Sequence, residues 1–497
     1  MKKQILLFLL LLLSGCMVGP DYKEPAPDVP EKWANATEEN EKKDRNINDE
    51  IYWWKNFDDP ILIHLVREAL KSNYDLKVAF AAICASRAVL LGTEAQLAPE
   101  INGIGSFNAT EFSLNSSFFN QQQNVNPVTP PGSLSASPAT TTTTRFFHNF
   151  ELGLDTAWEI DIFGRIRRSI EAAEASLEAQ VDDAHGVLLS LIAEVATNYI
   201  NLRSYQKQLE ITKKSFEEWD SIYKMNQSLL DAGLVTEIDV YQAKTTRDQT
   251  QANTYPLEES IKASMHQLAI LIGKPPAALY DLLSETKPIP KMPPQIFAGL
   301  PSELLKRRPD IRAAERNLAA STANIGVAVG SLFPIFTFTG TIGYQSSKTS
   351  NLLNSKSNFY SFGPGFTWDL IDFGRVRALI EQNIALKDES FFEYKSTILN
   401  ALADVENSLV NYAEEVKHHT WLKKAVDDSK IAADVSLLRY RSGRIPFIVA
   451  LQTENTYQQN LITLAQSEAT LSLNAVSLYK ALGGGWQVDR TDWLRDQ

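Results

Sequence analysis

Two hydrophobic periods alternate along this chain. Between positions 168 and 255 there is no proline, and Gly186 and Gly233 are the only glycines. Apolar side chains return there at Ile170, Ala173, Leu177, Val181, Ala184, Leu188 and onward to Leu209. That is a step of about 3.5 residues, the period of a helical seam packed against a second helix. A helix over 168–230 would run on the order of 95 Å at about 1.5 Å per residue. The pattern recurs over 377–441, again without glycine or proline. Gly233 and Gly443 each interrupt it once, and helix-forming sequence then resumes as far as Ile272 and Leu482. The spacing predicts two long antiparallel helical hairpins, 165–273 and 375–483, each turning at a glycine.

Ahead of each hairpin the period changes to two. Phe150, Leu152, Leu154, Thr156 and Trp158 share one face, opposite Glu151, Gly153, Asp155 and Ala157. Phe336, Phe338, Ile342 and Tyr344 oppose threonines, and Tyr360, Phe362, Phe366 and Trp368 oppose Ser361, Gly363, Gly365 and Thr367. The stretch 101–112 alternates more weakly. Strands are predicted at 100–113 and 146–161, then at 334–346 and 358–371. Each has about the length of a tilted membrane-crossing strand, with aromatics near its ends. A soluble sandwich with one wet face would read the same way. Four strands cannot close a barrel, and an open edge is not tolerated in hydrocarbon. Membrane strands here would have to close with those of other copies. Two chains give eight strands and an interior filled by side chains, whereas three give twelve and leave room for a channel. The Ser, Thr, Gly and acidic residues of the second face suit water, so a trimeric pore is the economical solution.

The chain is also a tandem repeat. Trp158…Phe163-Gly164-Arg165-Ile166-Arg167 recurs as Trp368…Phe373-Gly374-Arg375-Val376-Arg377, an offset of 210 that also carries Gly233 to Gly443 and Gly273 to Gly483. Upstream, Asp75-Leu76 matches Asp310-Ile311 and Leu97-Ala98-Pro99 matches Leu332-Phe333-Pro334, at an offset of 235. The first copy therefore holds about 25 extra residues, which fall in the Asn-, Pro-, Ser- and Thr-rich stretch 113–145 and read as an exposed loop. The expected layout is a helix, two strands and a hairpin at 61–273, a proline-rich linker at 274–300, the same unit at 301–483, and a tail at 484–497.

Composition modifies this picture at the N-terminus. Lys2 and Lys3 precede the apolar run 5–13, and Leu13-Ser14-Gly15-Cys16 follows, so 1–15 reads as a secretory signal. The last four residues resemble a bacterial lipobox, which implies acylation of Cys16 at the head of a lipidated extension, 16–60. Met17, rather than Asp, after that cysteine implies outer-membrane sorting. Cleavage would remove Lys2 and Lys3 and take the net charge from −12 to −14. An acidic chain argues against a nucleic-acid partner. Two cysteines exclude a disulfide framework, and Cys84, in an alanine-rich stretch, is expected to be a small buried residue.

Several further stretches carry a family resemblance. They are Cys16-Met17-Val18-Gly19-Pro20-Asp21-Tyr22, Trp53-Trp54 with Phe57 and Asp59-Pro60, Asn73 with Asp75-Leu76, the run from Arg308-Pro309-Asp310 to Glu315-Arg316, Ile325-Gly326-Val327-Ala328, and Phe333-Pro334. With the two Phe-Gly-Arg turns, the chain resembles the TolC-like outer membrane factors, in the branch that serves resistance-nodulation-division efflux pumps. The resemblance implies an α+β membrane protein. A homotrimeric twelve-stranded barrel, four strands per chain, would continue into a long periplasmic α-helical barrel. It implies a periplasmic adaptor and an inner-membrane, proton-driven transporter as partners, outer-membrane lipid held through Cys16, no cofactor, no metal and no enzymatic activity.

By the same resemblance the hairpin tips, with Gly233, Leu234, Val235, Ser442, Gly443 and Arg444, would dock the adaptor. Family members often carry aspartates just after the second tip. This chain has Gln452 there and only Glu454 nearby, which leaves Phe447, Gln452 and Glu454 as candidates for a periplasmic aperture. Gly164, Arg165, Arg167, Gly374, Arg375 and Arg377 fall at the barrel-to-helix junction, where the arginines could reach lipid headgroups or cap the turn. The six histidines include no His-Glu-x-x-His pair, no phosphate-cradling loop occurs, and the few methionines are unclustered, against a copper-dedicated exporter. A duct for secreted polypeptides and a pore-less structural coiled-coil lipoprotein are the alternatives. The substrate is not legible.

Overall fold

In the computed structural model the described residues are 17–26, 29–35, 51–113, 146–291 and 301–487. Cys16, the signal segment and nearly all of the predicted loop 113–145 lie outside them. The elements, in chain order, are helices α1 (Pro60–Ser72) and α2 (Tyr74–Glu94), strands β1 (Glu100–Glu111) and β2 (Phe146–Ile160), and helices α3 (Arg165–Asp231), α4 (Glu237–Ala252), α5 (Thr254–Leu271) and α6 (Tyr280–Leu283). Helices α7 (Pro301–Arg307) and α8 (Pro309–Gly330), strands β3 (Ile335–Ser346) and β4 (Asn358–Thr367), and helices α9 (Arg375–Arg441) and α10 (Phe447–Ala481) complete the second half. They fall into two compact units.

The first unit comprises the chain up to Tyr22, Ala88–Glu174 and Ala320–Lys387. Its centre is one antiparallel sheet in the order β1-β2-β3-β4. Registers such as Phe107↔Phe150, Leu152↔Tyr344 and Phe336↔Phe366 align the aromatic and aliphatic side chains on one side. A period of two leaves no other arrangement that keeps them together. Phe107, Leu154, Tyr360 and Phe366 on that side are exposed. Gly153 and Gly343 face each other on the opposite side, where a Cβ on Gly153 would lie 2.5 Å from the Ile342 carbonyl oxygen. The Trp158 indole donates to the Leu97 carbonyl (2.9 Å) and the Trp368 indole to that of Leu332 (3.0 Å). These donor–acceptor pairs are related by the sequence repeat, so it extends to single hydrogen bonds. β4 stops at Thr367 rather than the expected 371, because its one neighbour, β3, begins opposite it at Ile335 and offers no partner beyond.

The second unit comprises Lys23–Arg87, Ala175–Ala319 and the chain from Asp388. At both tips the helix ends in the same way. Gly233 and Gly443 adopt φ of 73° and 68°. Leu234 N–H returns to the Leu229 carbonyl and Arg444 N–H to that of Arg439, both at 2.9 Å. This is the left-handed closure that glycine alone makes without strain. After the turns the two repeats diverge. α10 is continuous, whereas the corresponding arm of the first repeat breaks at Asn253 into α4 and α5. Pro256 accounts for the break, since it lacks an N–H and its ring crowds the preceding turn. Cys84 is exposed, contrary to the expected burial. On α2 it is Ala79 and Ile83 that pack against Ala184, and the next residue round the helix points away.

Candidate functional site

The junction residues of the first repeat form one bonded assembly. Asp161 accepts from the backbone N–H of Ile166 and Arg167 (3.2 and 3.0 Å), capping the start of α3. Arg167 returns a side-chain hydrogen bond to the same carboxylate (3.2 Å), and Arg165 pairs with Glu159 (2.7 Å). Arg375 likewise pairs with Asp369 (2.7 Å), both side chains being exposed, and Arg377 is exposed as well. Asp372 accepts from Gly374 and Val376 N–H, and those hydrogen bonds hold its carboxyl below the usual aspartate range.

Arg168, absent from the residues singled out by motif, organises the first junction. Arg168 is 2% exposed. Its guanidinium donates to the carbonyls of Val18 (3.0 Å) and Gly19 (3.4 Å), to Asp21 (2.7 Å) and to Glu171 (2.7 Å). Val18 N–H bonds the Phe163 carbonyl (3.1 Å). The arm 17–21 lies so close that a Cβ on Gly19 would sit 2.4 Å from Gly326 Cα, and one on Gly164 2.7 Å from Met17 Cγ. This explains the glycines of the Val18-Gly19-Pro20-Asp21 and Ile325-Gly326 stretches. The available signal was the repeat itself, since position 168 corresponds to Ala378, an exposed residue.

The tips separate their predicted residues. Leu234 is exposed, as are Gly233, Ser442, Gly443 and Arg444, but Val235 packs against the tip core of Trp219, Ile222, Ala243, Tyr440, Phe447 and Ala450. Phe447 is buried there, its ring tilted on Tyr440 at 5.2 Å. An aromatic ring this deep contributes to cohesion of the tip, a role not expected for it from the sequence. Beneath it the Tyr440 hydroxyl donates to Asn226 Oδ1 (2.8 Å), and Asn226 Nδ2 donates to the Asp239 carbonyl (3.2 Å), tying the first hairpin to the second. Thr236 and Asp239 form a capping box at the start of α4, and Pro446 precedes α10. Gln452 is exposed. Glu454 accepts from Gln458 Nε2 (2.7 Å), which also donates to Glu218 (2.7 Å). Burial raises the Glu454 carboxyl, and the nearby Glu218 and Asp434 add to the effect.

A duplicated chain with one four-stranded sheet, two long hairpins and these turn motifs now has a counterpart. The sequence model described as outer membrane efflux protein matches residues 65–274 and 300–484. The chain belongs to that family. The solvent efflux pump outer membrane protein SrpC of Pseudomonas putida is 30% identical over 491 residues, 98% of this chain and 99% of its own length. Nodulation protein T of Rhizobium leguminosarum bv. trifolii is 28% identical, with 96% of each chain covered. Among solved structures, the outer-membrane channel OprN superposes with a TM-score of 0.84 at 33% identity, covering 95% of this chain and all of its own. The family is one of efflux ducts, not of enzymes.

Proposed function

We propose that this protein is the outer-membrane exit channel of a tripartite efflux pump, working as a homotrimer that conducts small toxic compounds passively outward. The observation that carries this reading is the sheet, with one exposed apolar face and two unpaired edges at β1 and β4. In hydrocarbon neither edge could stay open, and three such sheets close a twelve-stranded barrel wide enough for water. Family membership supports the role, and the solvent-efflux name of one relative supports the substrate class.

Cys16 carries the lipid anchor in this reading. Met17 and Val18, which follow it in the sequence, are held at the first junction. The two tips dock a periplasmic adaptor, which links the duct to an inner-membrane resistance-nodulation-division transporter. Exposed Leu234 and Arg444, beside the glycine turns, are the contacts expected to carry most of that docking. The test is accumulation of dyes, solvents and antibiotics in a Gram-negative strain lacking this gene and related outer-membrane channels. Reintroducing the wild-type gene should lower accumulation, and Leu234→Asp with Arg444→Glu should not. Equal accumulation with and without the wild-type gene would contradict the function.

A further inference from the structure

The internal repeat fixes how the sheet meets its neighbour. Within the chain, shifting each β1–β2 pair by the two repeat offsets, 235 for β1 and 210 for β2, reproduces the β3–β4 register. Glu100↔Ala157 becomes Ile335↔Thr367, and Phe107↔Phe150 becomes Ile342↔Tyr360, both of which are observed pairs. The offsets, carried also by pairs outside the strands such as Gly233/Gly443 and Leu97/Leu332, therefore carry strand register without a slip. One pairing of the repeat remains to be transformed, β2 with β3, and its image joins β4 to the β1 of another copy.

We infer that β4 pairs antiparallel with β1 of a neighbouring copy in one register, obtained by moving the β2–β3 partners through the same offsets. Trp158↔Phe338, Thr156↔Gly340 and Leu152↔Tyr344 become Trp368↔Gly103, Phe366↔Gly105 and Phe362↔Ala109, the second residue of each belonging to the neighbour. This inference rests on the trimeric reading above and adds the atomic register to it.

Three further observations agree. The transformed register keeps Tyr360, Phe362 and Phe366 on the same side as Ile101 and Phe107, the apolar side of the sheet. A slip by one residue would turn one of the two strands inside out. The strand β2 runs to Ile160, paired with Phe336, and the image of that pair is Leu370↔Ile101. In the single chain the corresponding end of β4 is unpaired after Thr367. Its residues Trp368, Leu370 and Ile371, interrupted only by Asp369, stand 47%, 73% and 79% exposed along an edge that the neighbour's β1 would pair. Finally, Phe163 stacks on Phe333 at 4.5 Å, whereas the equivalent Phe373 is 98% exposed. Position 333 corresponds to Ala98, so the image of this contact places the Phe373 ring against Ala98 of the neighbour.

The test is disulfide trapping in the full-length lipoprotein with Cys84→Ser. Ser361→Cys with Thr110→Cys, the image of Glu151↔Gln345, probes one end of the seam, and Thr367→Cys with Ile104→Cys, the image of Ala157↔Thr339, probes the other. Ser361→Cys with Asn108→Cys or with Phe112→Cys reports a slip of two residues either way. Such a slip moves partners by about 6–7 Å and takes the Cα atoms beyond disulfide range. Mild oxidation of outer membranes should convert both matched variants into covalent dimers and trimers on non-reducing gels, with at least about tenfold less from the slipped pairs. Native mass spectrometry of reduced protein reads assembly separately. Trimers that cross-link best through a slipped pair overturn the register and leave the trimer standing. Monomers that trap through no pair overturn both.

Discussion

The two strand-to-helix junctions begin from nearly the same sequence and end in different surroundings. At the first, Phe163-Gly164-Arg165 is covered by the N-terminal arm, Arg168 is buried beneath that arm, and Phe163 stacks on Phe333. At the second, no arm among the described residues covers Phe373-Gly374-Arg375, position 378 is an exposed alanine, and Phe373 stands in the open. The local backbone is shared, with Gly164 at φ 78° and Gly374 at φ 92°, because the turn motif alone dictates it. What arrives from elsewhere differs: the protein's own N-terminus on one side and, in the proposed assembly, a second copy on the other. A repeat thus transmits geometry faithfully while leaving each copy free to acquire its own partner.

The comparison predicts graded, asymmetric effects, each read as the midpoint of denaturant or thermal unfolding of the detergent-purified protein. Arg168→Ala removes the shared partner of four hydrogen-bond acceptors and a buried guanidinium whose carboxylate partners are solvent-accessible, and should cost about 2–4 kcal/mol. The equivalent Ala378→Arg, on an exposed helix face, should stay within about 0.5 kcal/mol. Equal costs at the two positions would break the asymmetry. Next in size, Gly164→Ala and Gly374→Ala both force a left-handed residue to carry a Cβ, at about 1–2 kcal/mol. Only Gly164→Ala also drives that Cβ into Met17, whereas nothing lies within 4 Å at Gly374, so the first should exceed the second by about 1 kcal/mol.

Trp158→Phe and Trp368→Phe provide the symmetric control. Each deletes one indole-to-carbonyl hydrogen bond of almost the same length, and each should lose a similar 0.5–1.5 kcal/mol, roughly. The smallest effect is expected at Asp372, whose carboxyl is held low by the backbone N–H groups it caps. A group with a depressed folded-state pKa contributes stability that is present above the ordinary aspartate range and is lost as the pH falls through the folded value. Asp372→Asn should therefore destabilise slightly near neutrality, and the difference from wild type should shrink in acid. A difference that grows below the ordinary aspartate range would refute the cap.

Much of this molecule is legible in its sequence because both of its periods are long and uninterrupted. The heptad-like spacing from Ile170 onward and the alternation through Phe150, Leu152 and Leu154 leave few readings, and the offset of 210 locates both glycine turns. Three features were hidden for physical reasons. Pro256 lies near the middle of the returning arm, and helix-forming sequence resumes after it, so periodicity passes over the break at Asn253. Phe447 follows a tip glycine and a proline, as an exposed lip residue would, and only the packing of Trp219 and Tyr440 around it fixes its role. Arg168 lies off the apolar seam, and its acceptors are backbone carbonyls about 150 residues away in sequence, which no local pattern encodes.

The claim on which the rest depends is that this chain assembles into a water-filled duct. Planar-bilayer recording of the purified, acylated protein measures this directly. Wild-type trimers should insert as discrete conductance steps, and Tyr440→Phe with Asn226→Ala, which cuts the bond between the two tips, should raise the conductance or its open fraction. The absence of any conductance step from correctly assembled trimers, in wild type and in the tip variant alike, would contradict it.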